Sequence, residues 1–198
     1  MATSMVWPVV TTADQVRGPA QGQWLYADYV QLPDDGQRYE IVKGVLYMAP
    51  APGESHQFAS SRFVVYLVIH VDFAGLGRVY HAPFDVELSP RDVVQPDVLV
   101  VLNAHSHVIT PRGIVGAPDL VIEIASPSTA THDRDEKLHA YERAGVREYW
   151  IADPFARTIE LLVLESAAYR SRGVYQGPVT VPSIVLPSLP VRVEQFFT

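Results

Sequence analysis

The sequence contains no cysteine, which excludes disulfide bonds, thiolate metal sites and a cysteine nucleophile, and which fits a reducing compartment. Lysine is scarce too: Lys43 and Lys137 stand beside thirteen arginines. No run of basic residues stands out, and the formal net charge is −7. An overall field of this sign does not favour a protein that coats nucleic acid, although it leaves room for a local basic groove.

Long hydrophobic runs are missing as well. The longest, at residues 64–69 and 98–102, are far too short to cross a bilayer. Residues 1–10 lack the basic and then apolar pattern of a signal peptide. Walker A and dinucleotide-binding motifs are also missing, which disfavours nucleotide-driven and redox chemistry. We therefore expect a cytoplasmic protein that has no membrane partner.

The composition that remains is that of a globular protein. The chain has 198 residues, of which 48% are hydrophobic and 19% charged, so it can bury a core without covalent cross-links. We predict a single domain over residues 1–198, with a lead-in at 1–33, a core at 34–165 and a C-terminal segment at 166–198 that wraps around the core.

Strand and helix patterns alternate along the core, which predicts an α/β fold. The nearly continuous apolar runs at residues 96–102 and 119–125 are typical of central strands that are covered on both faces. A hairpin over 39–48 turns at Lys43-Gly44, where glycine supplies a positive φ. The other predicted elements are helices at 26–31, 55–73 and 133–144, strands at 78–81 and 84–88, a turn at 90–92, a second hairpin over 148–164 and short strands in the tail.

The apolar runs contain the two acidic residues that are the main candidates for the site. Asp97 follows Gln95-Pro96 at the start of one run, and Glu123 lies within the other. A buried carboxylate is unfavourable unless something pairs with it. Two carboxylates that converge at one end of a sheet suit a hard divalent cation such as Mg²⁺, which keeps waters that can attack a substrate. The alternative is structural, with Asp97 capping the strand end and Glu123 in a buried ion pair with an arginine.

Lys137 belongs to the predicted helix that follows the Glu123 strand. From there its ammonium could reach the carboxylates and orient the attacking water or stabilise the charge that develops on the phosphorane. The alternative is a helix-surface lysine paired with Asp133 or Glu136. Glu40, in the first hairpin, is either a third acid of the site or a solvated residue of an edge strand.

Other polar residues are weaker candidates. His56 either donates to a phosphate or is a polar residue at a helix N-terminus, and we prefer the second interpretation. Asp85, on a half-polar strand, is ambiguous. His105 and His107 lie in a predicted loop at a spacing that can bind metal, but no third ligand is near them in the sequence. These residues stay outside the predicted site.

A set of motifs in fixed order then connects the chain to a known family. The motifs are Arg38-Tyr-Glu-Ile-Val-Lys-Gly44, Gln95-Pro-Asp-Val-Leu99, Ala117-Pro-Asp-Leu-Val-Ile-Glu-Ile-Ala-Ser-Pro-Ser-Thr129, Glu136-Lys137 and Ala144-Gly-Val-Arg-Glu-Tyr-Trp150. With them the sequence resembles the Uma-type restriction endonucleases, a bacterial family of unknown function that is placed in the PD-(D/E)XK nuclease superfamily. The resemblance spans roughly residues 38–164.

The resemblance implies an α/β (α+β) fold with a restriction-endonuclease-like core, a mixed central sheet flanked by helices, and an N-terminal β-hairpin. It makes Asp97 the aspartate of the PD motif, Glu123 the second acid and Glu40 an additional acid. The lysine of the superfamily motif would come two residues after Glu123, where this chain has Ala125. Lys137 occupies the place of a lysine that has moved to the following helix.

We therefore expect a Mg²⁺-dependent endonuclease that hydrolyses DNA, with Asp97, Glu123 and Glu40 as metal ligands, Lys137 as the assisting cation and Mn²⁺ as a substitute metal. The choice of DNA as the substrate rests on analogy with the family. Two alternatives stay open: an inactive module of this fold that binds nucleic acid or a protein, and a hydrolase of another phosphate ester. A homodimer, formed through an apolar edge of the second hairpin or the proline-rich tail, is a further expectation.

Overall fold

The computed structural model describes residues 9–126 and 132–198. Its strands, in chain order, are β1 (Thr11–Thr12), β2 (Arg38–Val42), β3 (Val45–Ala49), β4 (Gly77–His81), β5 (Val86–Ser89), β6 (Asp92–Val94), β7 (Val98–Leu102), β8 (Ile109–Thr110), β9 (Gly113–Val115), β10 (Leu120–Ile124), β11 (Glu148–Asp153), β12 (Thr158–Glu165) and β13 (Ala168–Gln176). Its α-helices are α1 (Tyr26–Tyr29), α2 (Glu54–Leu67) and α3 (Leu138–Ala144).

A mixed sheet of six strands forms the larger layer, in the order β13-β12-β11-β10-β7-β4. Strand β10 pairs in parallel with β11 and antiparallel with β7. All five residues of β10 are buried, because sheet neighbours lie on both sides and side chains cover both faces. The apolar runs around Asp97 and Glu123 are therefore central strands, as predicted.

A second sheet holds the N-terminal hairpin. It has seven short strands in the order β1-β3-β2-β6-β5-β9-β8. The hairpin of β2 and β3 turns at Lys43 and Gly44, whose φ angles are 53° and 75°, as the sequence predicts. The prediction of one central sheet with an attached hairpin was incomplete, because β2 pairs with β6 as well as β3 and is an inner strand.

The long helix packs on the six-stranded sheet. Helix α2 continues into a π-helical turn, Val68–Asp72, so the prediction of a helix over 55–73 is confirmed. Phe63, Leu67 and Val71 are fully buried on its inner face, at the spacing that places residues on one side of a helix. The Phe63 ring stacks on Phe196 with 4.1 Å between centroids.

The helix that carries Lys137 begins with a wide turn. A π-helical turn, Asp133–Lys137, leads into α3, which ends at Gly145 in the left-handed conformation with φ 87°. The predicted helix over 133–144 is therefore confirmed as a π-turn plus an α-helix. The predicted loop at residues 127–129 lies outside the described residues.

The C-terminal part is more regular than predicted. The second hairpin, β11 with β12, is confirmed, and β13 adds a nine-residue strand to it. Beyond it the chain forms an isolated bridge between Thr180 and Arg192 and a 3₁₀ turn at Val193–Phe196. The predicted turn at 90–92 is shorter than expected, since Asp92 already begins β6. The fold class, mixed α and β, is as predicted, and the second mixed sheet is what the prediction lacked.

Candidate active site

Asp97 lies directly before β7 and joins that strand to β10. Its Oδ2 accepts the backbone N–H of Ile124 at 2.8 Å and lies 2.9 Å from His56 Nε2. Burial alone would raise the pKa of Asp97, but the hydrogen bond and charge of His56 and the Ile124 N–H outweigh it and hold the pKa below its usual value. Asp97 is therefore held as a carboxylate beside the residue that follows Glu123.

The partner of Asp97 was not predicted. His56 lies in the first turn of α2, as the preferred interpretation has it, but it is buried with Ala59, Phe63 and Leu67, and its contact with Asp97 was not foreseen. The helical spacing of the sequence could have predicted the burial of His56, because positions 56, 59, 63 and 67 lie on one face of a helix. A polar side chain on that buried stripe requires a partner.

Glu123 and Lys137 meet in the interior. Lys137 is only 3% exposed, and its Nζ lies 2.6 Å from Glu123 Oε1 and 3.1 Å from Glu40 Oε1. Lys137 is thus not the helix-surface lysine of the alternative interpretation, and the cationic partner of Glu123 is this lysine. Tyr141, one turn further along the helix, donates from its hydroxyl to Glu123 Oε1 at 2.6 Å.

Glu40 reaches the same place from the second sheet. Its Oε1 accepts the backbone N–H of Gln95 at 2.7 Å as well as the Lys137 ammonium. It is 3% exposed, so the interpretation as a solvated edge-strand residue was wrong, because β2 is flanked by β3 and β6. Burial would raise the pKa of Glu40, but Lys137, Arg38 and His132 outweigh it and hold the pKa below its usual value.

Glu123 is the carboxyl group of the cluster whose pKa is raised. Burial raises the pKa of Glu123 to about 7; Lys137 opposes this shift, whereas the charges of Asp97 and Glu40 add to it. The Lys137 ammonium therefore does not keep the pKa of Glu123 at its usual value. The four side chains line one cavity of about 20 Å³, roughly the room that a single water molecule needs.

A second imidazole lies at the same cavity. The ring of His132 packs against Tyr47 with 4.5 Å between centroids, and its Nε2 lies 3.9 Å from Glu40 Oε2. Burial lowers the pKa of His132, which favours the neutral ring. No local pattern marks this position, because its burial depends on β2 and β3 from a distant part of the chain.

The remaining candidates lie elsewhere or act indirectly. Asp85 Oδ1 accepts from the Tyr29 hydroxyl and from Gln95 Nε2, so it supports the segment that precedes Asp97. His105 Nδ1 lies 2.7 Å from Asp119 Oδ1 at the opposite end of β10. Neither Asp85 nor His105 is among the described residues that line the cavity.

Comparison with known proteins places the chain in a family. The profile of the Uma2 family, whose description is "putative restriction endonuclease", matches residues 26–194. The chain belongs to the Uma2 family. The Uma2 match contains Glu40, Asp97, Glu123 and Lys137, and it confirms the resemblance seen in the sequence.

A solved structure supports the fold. The crystal structure of a putative nuclease belonging to DUF820 from Anabaena variabilis ATCC 29413 is 21% identical in sequence, covers 90% of this chain and 98% of its own, and superposes with a TM-score of 0.68. No match was found among curated proteins. Within the described residues, no helix of this Uma2 protein is long and apolar enough to cross a bilayer.

The donor set of this Uma2 protein fits a divalent cation. Carboxylate oxygens are the ligands that hard dications prefer, and Glu40, Asp97 and Glu123 line one cavity in which burial and the charges of Asp97 and Glu40 raise the pKa of Glu123. In the part of the chain that the structure describes, no three His, Asp or Glu side chains already form a ligand set. The Lys137 ammonium instead bridges Glu40 and Glu123, so a cation and this ammonium would share the two glutamates.

Proposed function

We propose that this protein is a metal-dependent endonuclease that hydrolyses phosphodiester bonds of DNA. One observation carries the proposal: Glu40, Asp97, Glu123 and Lys137, which come from separate elements, line one buried cavity. Burying four ionisable side chains together costs far more than burying apolar residues of the same size. A fold that retains such a cluster is typical of a functional site rather than of a stabilising one.

Glu40, Asp97 and Glu123 would hold Mg²⁺, with Mn²⁺ as a substitute. When bound, such an ion supplies a nucleophilic water at neutral pH and polarises the scissile phosphate. His56 and the Ile124 N–H fix the orientation of Asp97, and Tyr141 fixes that of Glu123. The carboxylates are therefore positioned before any ligand arrives.

Lys137 takes the role that Ala125 cannot fill. Its ammonium is already 2.6 Å from Glu123, so a small movement of this flexible side chain would bring it to a water or a phosphate oxygen beside the carboxylates. There it would orient the attacking water or stabilise the charge on the phosphorane. Arg38, at the same cavity, adds a guanidinium that can pair with a phosphate.

Substrate, assembly and location follow from this proposal. DNA is the substrate that the family description favours, and a phosphodiester is the bond that the site chemistry suits. We further propose one domain over residues 1–198, a cytoplasmic location, and a homodimer as the form that cuts both strands of a duplex.

A second candidate is an inactive module of the nuclease fold that binds nucleic acid or a protein partner. Three observations favour it: the net charge of −7, Ala125 in place of the motif lysine, and a cavity of about 20 Å³ that is too small for a phosphodiester without movement of its walls. This candidate predicts metal-independent binding and no cleavage.

Incubation of the purified protein with supercoiled plasmid and with labelled duplex and single-stranded oligonucleotides, in Mg²⁺ or Mn²⁺, tests the two candidates. Cleavage should disappear in Asp97→Asn and fall on the order of 10²–10³-fold in Lys137→Ala. Glu136→Gln is the matched control, because Glu136 precedes Lys137 on the same turn and pairs with the exposed Lys43. Equal cleavage by wild type and Asp97→Asn would refute the nuclease, and small phosphodiesters as substrates would identify a different esterase.

A further inference from the structure

His132 Nε2 is a buried polar atom that has no hydrogen-bond partner among the described residues, 9–126 and 132–198. The His132 side chain is 8% exposed and lines the cavity of the three acids. Leaving a buried nitrogen without a partner costs about 1–3 kcal/mol. A native protein tolerates such an atom where a ligand completes its bonding.

A carboxylate oxygen close to His132 Nε2 suggests which ligand this is. His132 Nε2 lies 3.9 Å from Glu40 Oε2, which is too long for a hydrogen bond. Nitrogen and oxygen ligands of one metal ion, each at about 2.0–2.2 Å, can be at most about 4.2 Å apart. The measured separation falls within that limit, and the Tyr47 ring packed against His132 holds the imidazole beside the acids.

We propose that His132 Nε2 is a nitrogen ligand of the cation held by Glu40, Asp97 and Glu123, and that the site therefore selects a first-row transition-metal dication over Mg²⁺. This proposal rests on the proposed metal site. Mg²⁺ takes oxygen ligands almost exclusively, whereas imidazole suits transition metals. A mixed carboxylate and imidazole set accordingly changes the preferred metal without changing the reaction.

His56 is the competing imidazole at this cavity, because its Nδ1 also has no hydrogen-bond partner in the part of the chain that the structure describes. Its Nε2, however, is already bonded to Asp97, which makes His56 a positioning residue for that carboxylate. The two histidines therefore have separable roles. His132 would contribute a metal–nitrogen bond, and His56 would contribute a hydrogen bond to a ligand.

Pulsed electron paramagnetic resonance of the full chain with bound Mn²⁺ tests this assignment directly. Wild type should show ¹⁴N modulation from a coordinated imidazole, and labelling with ¹⁵N-histidine should replace it by the ¹⁵N pattern. The modulation should vanish in His132→Phe, which keeps a ring against Tyr47, and in His132→Gln. It should persist in His56→Gln and in His105→Phe, the latter a half-exposed histidine that pairs with Asp119 and does not line the cavity.

Calorimetry gives a second readout. Mn²⁺ affinity should fall by at least about tenfold in His132→Phe, whereas Mg²⁺ affinity should change by less than about threefold. Circular dichroism and thermal unfolding check that each variant is folded. The ¹⁵N-histidine experiment is done on the wild type, so it does not depend on the folding of any variant.

Three outcomes decide the matter. Bound Mn²⁺ without nitrogen coupling, or coupling that survives in the His132 variants, overturns the imidazole ligand but leaves the proposed nuclease standing. Absence of Mn²⁺ binding by wild type overturns both proposals. If the nitrogen coupling depends on His132 but the protein cleaves no DNA, the assignment of His132 as a metal ligand stands and the proposed nuclease function is refuted.

Discussion

Tyr141 donates a hydrogen bond of 2.6 Å to Glu123 Oε1, the same carboxylate oxygen that the Lys137 ammonium contacts. Tyr141 is fully buried, and its pKa is raised well above the usual value by burial and by the charge of Glu123, so it acts as a donor. The helix after β10 thus presents two donors, one turn apart, to one acceptor. Each donor leads to a prediction.

Tyr141→Phe should lower the free energy of unfolding by about 1–3 kcal/mol, because Glu123 loses a buried hydrogen bond and nothing replaces it. Mn²⁺ affinity should fall as well, since the ligand is less well oriented. Urea denaturation and calorimetry measure the two effects. Tyr175→Phe is the control, because that hydroxyl bonds the Arg172 carbonyl at the surface; equal small effects in both variants would contradict the positioning role.

Lys137→Met should destabilise the metal-free protein by about 3–5 kcal/mol at neutral pH, because it leaves two buried glutamates without their cation. The loss should shrink as the pH falls and the glutamates become protonated. Lys43→Met is the matched control, since Lys43 is half-exposed, pairs with Glu136 and should contribute at most about 1 kcal/mol. Similar unfolding free energies for the two lysine variants would show that Lys137 is not coupled to the buried acids.

The stability of the metal-free protein should fall between about pH 4.5 and pH 7 through Glu123. Its pKa in the folded state is raised from 4.5 to about 7, so the native state holds a proton that the unfolded chain has released, and this contribution is lost as the pH rises through 7. Glu123→Gln should abolish this part of the pH dependence, measured by urea unfolding at several pH values. The prediction would be refuted if the free energy of unfolding of the wild type rose over this pH interval, in parallel with that of the variant.

His56→Leu should raise the pKa of Asp97 and lower the free energy of unfolding by about 1.5–3 kcal/mol, the usual contribution of a hydrogen bond to a charged group. Nuclear magnetic resonance of labelled aspartate carboxyls follows the pKa, and denaturation follows the stability. His139→Leu is the control, because His139 is exposed and pairs with Glu142 at the surface. If the pKa of Asp97 does not change in His56→Leu, then His56 does not stabilise the Asp97 carboxylate.

Local patterns were sufficient to predict the elements that carry the site. The apolar strands β7 and β10, the hairpin at Lys43-Gly44 and the helix with Lys137 have patterns that are decided by residues within a few positions of one another. Asp97 and Glu123 were recognisable because a carboxylate in an apolar strand is costly wherever that strand packs. The period of α2 would also have identified His56.

Contacts between distant segments decided the rest. The second sheet was missed because its strands are mostly two to five residues long and one pair, β5 with β9, joins Val86 to Ile114 in parallel; neither strand carries a signal for the other. The burial of Glu40 follows from that sheet, since Ile41 pairs with Val93 of β6. His132 is buried for the same reason, against a ring of β3.

The division of the acids between two sheets has a consequence for the folding of the protein. Glu40 belongs to the seven-stranded sheet, whereas Glu123 lies in the six-stranded sheet and Asp97 directly precedes one of its strands. Lys137 links the two sheets by contacting Glu40 and Glu123. A newly made or partly unfolded molecule in which the sheets have not yet docked therefore lacks the complete acid set. A nuclease site of the kind proposed above would therefore be complete only once the two sheets have docked.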